Sequence, residues 1–106
     1  MMVTPAASIA GFRIVETLGL VRGNTIRARH LGKDILAGLK NLIGGEIEEY
    51  TKMMAEAREQ SLDRMYREAE SLGASAITDL RFATSYVMGS ASEILVYGNA
   101  VKLEEE

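Results

Sequence analysis

Residues 46–72 constrain the fold more than any other stretch. Apolar or small residues recur there every three or four positions, the spacing that keeps one face of a helix turned inward. The inward set is Ile47, Tyr50, Met54, Ala57, Ser61, Met65, Ala69 and Leu72. The opposite set is charged or polar: Glu49, Lys52, Glu56, Glu59, Gln60, Asp63, Arg67 and Glu70. We therefore predict one long amphipathic helix from Glu46 to Leu72.

The length of this helix predicts an oligomer. At about 1.5 Å per residue it is roughly 40 Å long, whereas a compact chain of this size has a diameter of about 34 Å. In the second half of the helix, Leu62 and Tyr66 widen the apolar arc. Because one small sheet cannot easily cover that arc, we expect a neighbouring subunit to cover the rest. A monomer with a few exposed apolar side chains is the alternative.

Composition limits the class of protein. The 106 residues fit one domain, 1–106, in which we expect residues 1–8 and 104–106 to be flexible. No apolar run approaches the roughly 18 residues of a membrane span, and no signal peptide opens the chain. We therefore expect a cytoplasmic protein without a membrane partner. With no cysteine, disulfides, thiolate ligands and thiol nucleophiles are excluded.

The segment before the long helix reads as strands. Alternating residues from Phe12 to Val21 predict a strand, Gly23-Asn24 predicts a turn, and Thr25 to Arg29 predicts a short returning strand. A local group of basic residues follows: Arg22, Arg27, Arg29, His30 and Lys33. We do not expect nucleic-acid binding, because the net charge is -3 and no aromatic residue is interleaved with the arginines.

Residues 31–43 carry apolar side chains at helical spacing and predict a short helix. His30, Asp34 and Asn41 lie in one polar row at its edge, so an imidazole, a carboxylate and an amide can converge on one ligand. His30 and Asp34 also have the four-residue spacing of a helical metal-binding pair. Two ligands do not complete a metal site, and a solvated polar edge is the alternative. The cofactor is therefore unknown, with a metal ion left open.

A glycine pair precedes the predicted start of the long helix. Gly44-Gly45 is predicted to be a hinge between the helices, and the acids of the next turn disfavour a phosphate there.

Arg58 lies inside the apolar arc by angle, where an unpaired guanidinium is costly to bury. Asp34, Glu68 or a neighbouring subunit's carboxylate would pair with it. The alternative is that Arg58 binds an anionic ligand.

Two strands are predicted after the helix. Gly73 is placed to cap the helix, and the alternating segments are Ala76 to Val87 and Glu93 to Leu103. Gly89-Ser90 is predicted to be the turn between them, and Gly98 to mark a bulge or a close backbone approach. The predicted fold is α+β, with a small antiparallel sheet, one short helix and one long helix.

Several motifs resemble a known family. They are D-I-L-A-G-L-K-N-L-I-G-G-E from Asp34 to Glu46, Tyr50, Ala57-Arg58, and G-A-S-A-I from Gly73 to Ile77. The chain resembles the YbjQ family of small bacterial and archaeal proteins, whose label refers to heavy-metal binding. The resemblance implies a homopentameric ring. The matching positions are Asp34, Gly44, Gly45, Tyr50, Arg58 and Gly73. His30 stands where asparagine is typical and Ser75 where an acid is typical, which weakens a family-wide metal role for His30.

Three classes of function stay open: a homo-oligomeric binding module, a scaffold with no ligand of its own, and an enzyme. With one histidine and no cysteine we assign no catalytic residue and disfavour the enzyme. The candidate ligand-binding residues are Asp34, Asn41, Tyr50 and Arg58, and the candidate metal ligands are His30 and Asp34. Met53, Met54 and Met65 lie at core spacing, which is typical of packing. We predict the binding module, for a heavy metal or a small ligand.

Overall fold

The computed structural model describes residues 1–28, 45–88 and 91–106. The elements are strand β1 (Met2–Val3), strand β2 (Phe12–Ala28), helix α1 (Gly45–Ser71), strand β3 (Ala76–Met88) and strand β4 (Ala91–Glu105). The α+β class is therefore confirmed. The short helix predicted over residues 31–43 and the turn predicted at residues 89–90 lie outside the described residues.

The sheet has four strands in the order β1-β3-β4-β2. It is mixed, so the prediction of an antiparallel sheet was wrong: β2 and β3 run antiparallel to β4, but β1 pairs parallel to β3. The chain after β1 continues along the same edge, where the Thr4 amide donates to the Ile77 carbonyl at 3.0 Å and the Leu80 amide donates to the Thr4 carbonyl at 3.1 Å. The weakly patterned first residues give no local signal for this pairing.

The predicted turn at Gly23-Asn24 was wrong. β2 runs straight through both residues, with Gly23 opposite Val96 and Asn24 opposite Leu95 on β4. A Cβ on Gly23 would lie 2.0 Å from the Ser61 carbonyl oxygen of α1. Gly23 therefore serves the close approach of the helix backbone to the strand, which is the other common role of glycine inside a strand.

The long helix is confirmed, beginning one residue before the predicted start and ending one before the predicted end. Its buried positions are four apart: Ala57, Ser61, Met65 and Ala69. The charged face is exposed at Lys52, Glu56, Glu59, Gln60, Asp63, Arg67 and Glu70. Past the helix, Gly73 adopts a φ of 79°, its amide donates to the Glu70 carbonyl at 3.0 Å, and the Ala74 amide donates to the Ala69 carbonyl at 3.1 Å. These bonds form a Schellman cap.

The core lies between α1 and one face of β2, β4 and the first residues of β3. Its fully buried cluster is Val21, Met65, Ala69, Ile77, Val96 and Ala100. α1 packs chiefly on β2 and then on β4, so the helix-side face of β3 beyond its start is uncovered and Phe82 is 48% exposed there. One helix therefore covers only part of one face of the sheet.

A buried hydroxyl pair joins α1 to β2. Ser61 Oγ lies 2.8 Å from Thr25 Oγ1, 2.9 Å from the Ala57 carbonyl oxygen and 3.1 Å from the Ile94 carbonyl oxygen. Both side chains are buried. We expect Ser61→Ala to lower the free energy of unfolding by about 1–3 kcal/mol, because it leaves the buried Thr25 hydroxyl without this partner. Urea denaturation followed by circular dichroism measures the loss.

Two variants control this experiment. Ser71→Ala removes an exposed serine hydroxyl that donates to the Glu68 carbonyl at 2.6 Å, and we expect a change of less than about 0.5 kcal/mol. Adding Thr25→Val to Ser61→Ala removes both buried partners and should recover part of the stability. A Ser61→Ala protein as stable as the parent would contradict a stabilising role for the hydroxyl pair.

The described chain is elongated. Its principal extents are 57 × 23 × 17 Å and its radius of gyration is 17.5 Å, whereas a compact domain of this length has a radius of gyration of about 13 Å. The 17 residues of β2 alone span about 56 Å at 3.3 Å per residue. This shape leaves several large apolar side chains at least 39% exposed within strands or next to the helix end: Ile14, Val15, Leu20, Ile26, Leu72 and Phe82.

Candidate functional site

Most of the predicted site residues fall outside the described part of the chain. His30, Asp34, Asn41 and Gly44 lie in residues 29–44, and Tyr50 is described only as a backbone position of α1. Gly45 is the first residue of the helix. The predicted convergence of His30, Asp34 and Asn41 therefore stays a prediction.

Arg58 is described, and within one subunit it is exposed. The buried residues of α1 are spaced four apart, so the buried stripe drifts about 40° round the helix at each step. At Ala57 and Ser61 the buried stripe therefore faces a different direction from Arg58, so the Arg58 side chain lies at the margin of the stripe. Within one subunit Arg58 lies outside the buried stripe, and its pairing with Asp34, Glu68, a neighbouring subunit or an anionic ligand stays a prediction.

The side of the sheet opposite α1, which we call the open face, carries a denser group of polar side chains. Val21, Gly23 and Thr25 point towards the helix and are buried. Successive residues of a strand point to opposite faces, so the intervening residues of β2 lie on the open face. They are Leu20, Arg22, Asn24 and Ile26, all exposed. Helix α1 lies on the opposite side of the sheet, so the open face is exposed at these four positions. Where the same face continues towards β1, Ala76, Thr78 and Val101 are buried.

Register brings three side chains into one row across the open face. Tyr97 of β4 is the cross-strand partner of Arg22 on β2 and of Arg81 on β3. Directly opposed residues share a face, with Cβ atoms about 5 Å apart. Tyr97 is half-buried, and the two arginines beside it are exposed. We call these three residues the arginine row.

Arg81 is held in place by neutral partners. Its Nη1 donates to the Pro5 carbonyl oxygen at 3.0 Å and to the Leu80 carbonyl oxygen at 2.8 Å. A guanidinium has five N–H donors, so donors on Nε and Nη2 remain for another partner. Carbonyl groups carry no net charge, and this anchoring fixes the guanidinium without neutralising it.

Two carboxylates on β3 and β4, those of Asp79 and Glu93, accept hydrogen bonds from neutral donors. Glu93 accepts from Asn24 Nδ2 at 3.2 Å and from Ser85 Oγ at 3.4 Å, and Asp79 accepts from Asn99 Nδ2 at 3.1 Å. In the described ranges 1–28, 45–88 and 91–106, the ion pairs are Arg13 with Glu104 and Lys102 with Glu16. Neither arginine of the row is therefore matched by a carboxylate there.

A β-bulge lies beside the row. Thr78 pairs with Asn99 and Arg81 with Tyr97, so Asp79 and Leu80 of β3 oppose the single residue Gly98 of β4. Asp79 has a φ of 56°, a left-handed conformation that aspartate tolerates better than most residues. A Cβ on Gly98 would lie 2.6 Å from Ile77 Cγ2 and 2.9 Å from the Thr78 carbonyl oxygen. The prediction of a bulge or close approach at Gly98 is confirmed. The bulge ends the continuous register that runs from Tyr86 and Ser92 to Arg81 and Tyr97.

Comparison with known proteins identifies the family. A family described as "Putative heavy-metal-binding", YbjQ, matches residues 1–104. The chain belongs to the YbjQ family. Among its relatives, a UPF0145 protein of Dehalococcoides mccartyi is 56% identical over 104 residues, covering 98% of this chain and 100% of the relative. A UPF0145 protein of Methanosarcina acetivorans is 52% identical over 103 residues, covering 97% of each.

The YbjQ fold has a structural neighbour of low sequence identity. A crystal structure of a protein of unknown function from Pediococcus pentosaceus superposes with a TM-score of 0.58 at 18% identity, covering 100% of this chain and 98% of the other. This likeness supports the fold alone. No helix in the described ranges is long and apolar enough to cross a membrane.

The family's heavy-metal label can be compared with the donors present. Residues 1–28, 45–88 and 91–106 contain no group of three or more His, Asp or Glu side chains placed to hold a metal ion, and the chain has no cysteine. Met65 is completely buried in the core cluster, as predicted for a packing residue.

The arginine row was missed by sequence reasoning. The sequence places Arg22 near the basic residues of 27–33 and gives Arg81 and Tyr97 the ordinary alternation of strand residues. A hairpin with a two-residue turn at 89–90 and no irregularity would pair Tyr97 with Phe82, and it would place Arg81 on the other face of the sheet. The register shift between Tyr86 and Met88 moves the partner of Tyr97 to Arg81, and no local pattern in β3 indicates where that shift occurs.

Proposed function

We propose that this protein is a homo-oligomeric binding module in which copies join along the edges of their sheets and a small ligand binds the open face. The observation that carries the proposal is a sheet with two free, unlike edges. Within the described residues no strand pairs with the outer edge of β2 along residues 12–28, or with the outer edge of β3 beyond Arg81. A long free edge exposes a row of hydrogen-bonding groups that attracts another strand.

Because the two free edges belong to different strands, they favour assembly of the copies into a closed ring. When the edge of β2 on one copy joins the edge of β3 on the next, the contact is head-to-tail, and such contacts close into rings when the rotation permits. The exposed Phe82 stands on β3 at the edge that the neighbour would cover. The elongated shape and unfilled apolar surface support the same arrangement. Five copies is the number that the resemblance to the YbjQ family implies.

Edge pairing would leave the open face free for a ligand. Hydrogen bonds between strands lie in the plane of the sheet, so a neighbouring strand added at an edge extends the open face without covering it. It presents charged, amide and aromatic groups together, which is the composition of a small-ligand surface. A metal ion at His30 and Asp34 and a role for Asn41, Tyr50 and Arg58 stay proposals within the same module, as does a cytoplasmic location.

Native mass spectrometry of the purified protein tests the module. We expect one dominant species of several subunits, five by the resemblance, and a defined added mass when a bound ligand survives purification. Incubation with divalent and monovalent metal ions tests the metal proposal separately. A metal-binding module would retain a fixed number of ions per subunit. An intact oligomer that retains no ion and no ligand would favour the scaffold.

A surface variant tests the edge. We expect Phe82→Lys to lower the subunit number at micromolar concentration, because a charged side chain on an edge strand opposes pairing with a neighbour. Leu72→Lys is the matched control: Leu72 is 44% exposed but follows the end of α1, away from both free edges. Parent protein that sediments as a stable single subunit would refute the oligomer. Equal effects of the two variants would argue against pairing at the β3 edge.

A further inference from the structure

We propose that the arginine row binds a flat small molecule with two anionic groups, of the aromatic dicarboxylate class. This inference rests on the proposed binding module and specifies its ligand. It concerns Arg22, Tyr97 and Arg81, whose positions follow from the registers of β2 and β3 against β4.

The two cations determine the number of anionic groups. Arg22 and Arg81 stand on either side of β4, so their Cα atoms are separated by two strand spacings, about 10 Å. An arginine fork binds a carboxylate through two parallel hydrogen bonds. Arg81 is tied to the Pro5 carbonyl, and residues 4–6 run along the outer edge of β3, so its fork is held on the side of β3 away from Arg22. One carboxylate paired with the Arg22 fork does not reach it. A ligand with an anionic group at each end satisfies both.

Tyr97, which lies between the two arginines, favours a ligand that contains an aromatic ring. Tyr97 is half-buried between two exposed neighbours, so its ring is partly available from the open face. Aromatic groups stack on such a ring in offset or edge-to-face contacts. Leu20 lies on the same face two cross-strand pairs away, opposite Asn99, and is 59% exposed. A flat apolar body therefore finds an aromatic and an aliphatic surface between its charged ends.

The row is available to such a ligand because its surroundings leave it unneutralised. Glu93 accepts hydrogen bonds from the Asn24 and Ser85 side chains, and Asp79 accepts one from Asn99. Pro5 and Leu80 carbonyl groups fix Arg81 before any ligand arrives, which lowers the entropy lost on binding. Among the described residues neither guanidinium forms an ion pair, so both remain available to an external anion.

The charge of the whole chain favours a small ligand over a polymer. The net charge is -3, and a long polyanion such as a nucleic acid would meet a repulsive field beyond the two arginines. A small dianion contacts only the row. Its binding should weaken with added salt, because both arginines are exposed and their charges are screened.

Isothermal titration calorimetry on the full chain in its native assembly tests this proposal. The probes are naphthalene-2,6-dicarboxylate and 2-naphthoate, which share a ring and differ by one carboxylate, and adenosine monophosphate as a phosphate ligand. We expect the dicarboxylate to bind at least about tenfold more tightly than the monocarboxylate, since it adds charge-assisted hydrogen bonds. We also expect it to bind more tightly than the phosphate ligand.

Variants assign the binding to the row. Arg22→Gln and Arg81→Gln should each weaken dicarboxylate binding about tenfold or more and bring it close to 2-naphthoate. Tyr97→Leu should weaken both naphthalene ligands. Arg67→Gln is the matched control, because Arg67 is an exposed arginine on the charged face of α1, and it should leave affinity within about twofold of the parent. Melting temperature and native mass must match the parent in every variant.

The outcomes separate this inference from the function on which it rests. An intact oligomer that binds neither naphthalene ligand overturns the inference and leaves the oligomer standing. Equal affinities for the two naphthalene ligands overturn the requirement for two anionic groups. Tighter binding of adenosine monophosphate overturns the dicarboxylate class. Loss of dicarboxylate binding in Arg67→Gln overturns the assignment to the row.

Discussion

Gly23→Ala is expected to destabilise the protein more than any other single-methyl addition to β2. The new Cβ would lie 2.0 Å from the Ser61 carbonyl oxygen and 2.6 Å from the Met65 backbone nitrogen. Both are helix backbone atoms, so no side-chain rotation relieves the overlap, and α1 must move away from β2. That movement opens the core around Val21 and Met65. We expect a loss of about 3 kcal/mol or more in the free energy of unfolding, measured by urea denaturation.

Gly19→Ala on the same strand is the matched control. Nothing lies within 4 Å of a Cβ built on Gly19, but its φ is 125°. That substitution adds the same methyl and meets backbone strain without a clash, so we expect a smaller loss of about 1–2 kcal/mol. If Gly23→Ala were as stable as the parent, or less damaging than Gly19→Ala, the close approach of α1 to β2 would be contradicted.

The long helix was predictable because its signal is local. Apolar and charged residues segregate within the sequence of α1 itself, and the buried residues Ala57, Ser61, Met65 and Ala69 all belong to the predicted inner set. Strands β3 and β4 were predictable for the same reason, since each alternates along its own length. Residues at the margins of the stripe were less certain. Arg58 and Leu72 lie within the predicted arc but are exposed.

The turn at Gly23-Asn24 was mispredicted because two physical causes produce the same local pattern. A glycine followed by asparagine is a strong hairpin signal, yet a glycine is also required where a helix backbone approaches a strand. Only the position of Ser61, 38 residues further along by numbering, distinguishes the two. No local pattern in the sequence of β2 indicates that Ser61 will lie beside Gly23.

The arginine row depends on information of the same non-local kind. Whether Arg22 and Arg81 flank Tyr97 is decided by the registers of two strand pairs and by the register shift between Tyr86 and Met88. A shift of one residue in either register would move an arginine to the other face of the sheet. The types of residue in the row were visible in the sequence, whereas their juxtaposition was not.

Met65→Ala is expected to have the second largest effect. Met65 is fully buried and is the largest completely buried side chain of the described core. It lies between α1 and the sheet, among Val21, Ala69 and Val96. Truncation removes its apolar contacts and leaves a cavity that the flanking backbone cannot readily fill, because Gly23 and the helix are already in close contact. We expect a loss of about 2–5 kcal/mol, measured by thermal and urea denaturation.

Met65→Leu separates packing from metal binding at this residue. Leucine nearly conserves the volume, so a packing residue should lose less than about 1.5 kcal/mol, whereas a thioether ligand would lose any bound soft metal completely. We therefore expect Met65→Leu to retain the melting temperature, the native mass and any metal content of the parent, while Met65→Ala loses stability. Met53→Ala is the matched truncation on the same helix: Met53 is only half-buried and should cost less than Met65→Ala. A Leu variant that is stable but stripped of metal would instead make Met65 a ligand, and the buried core around it would then have to open for the ion to enter.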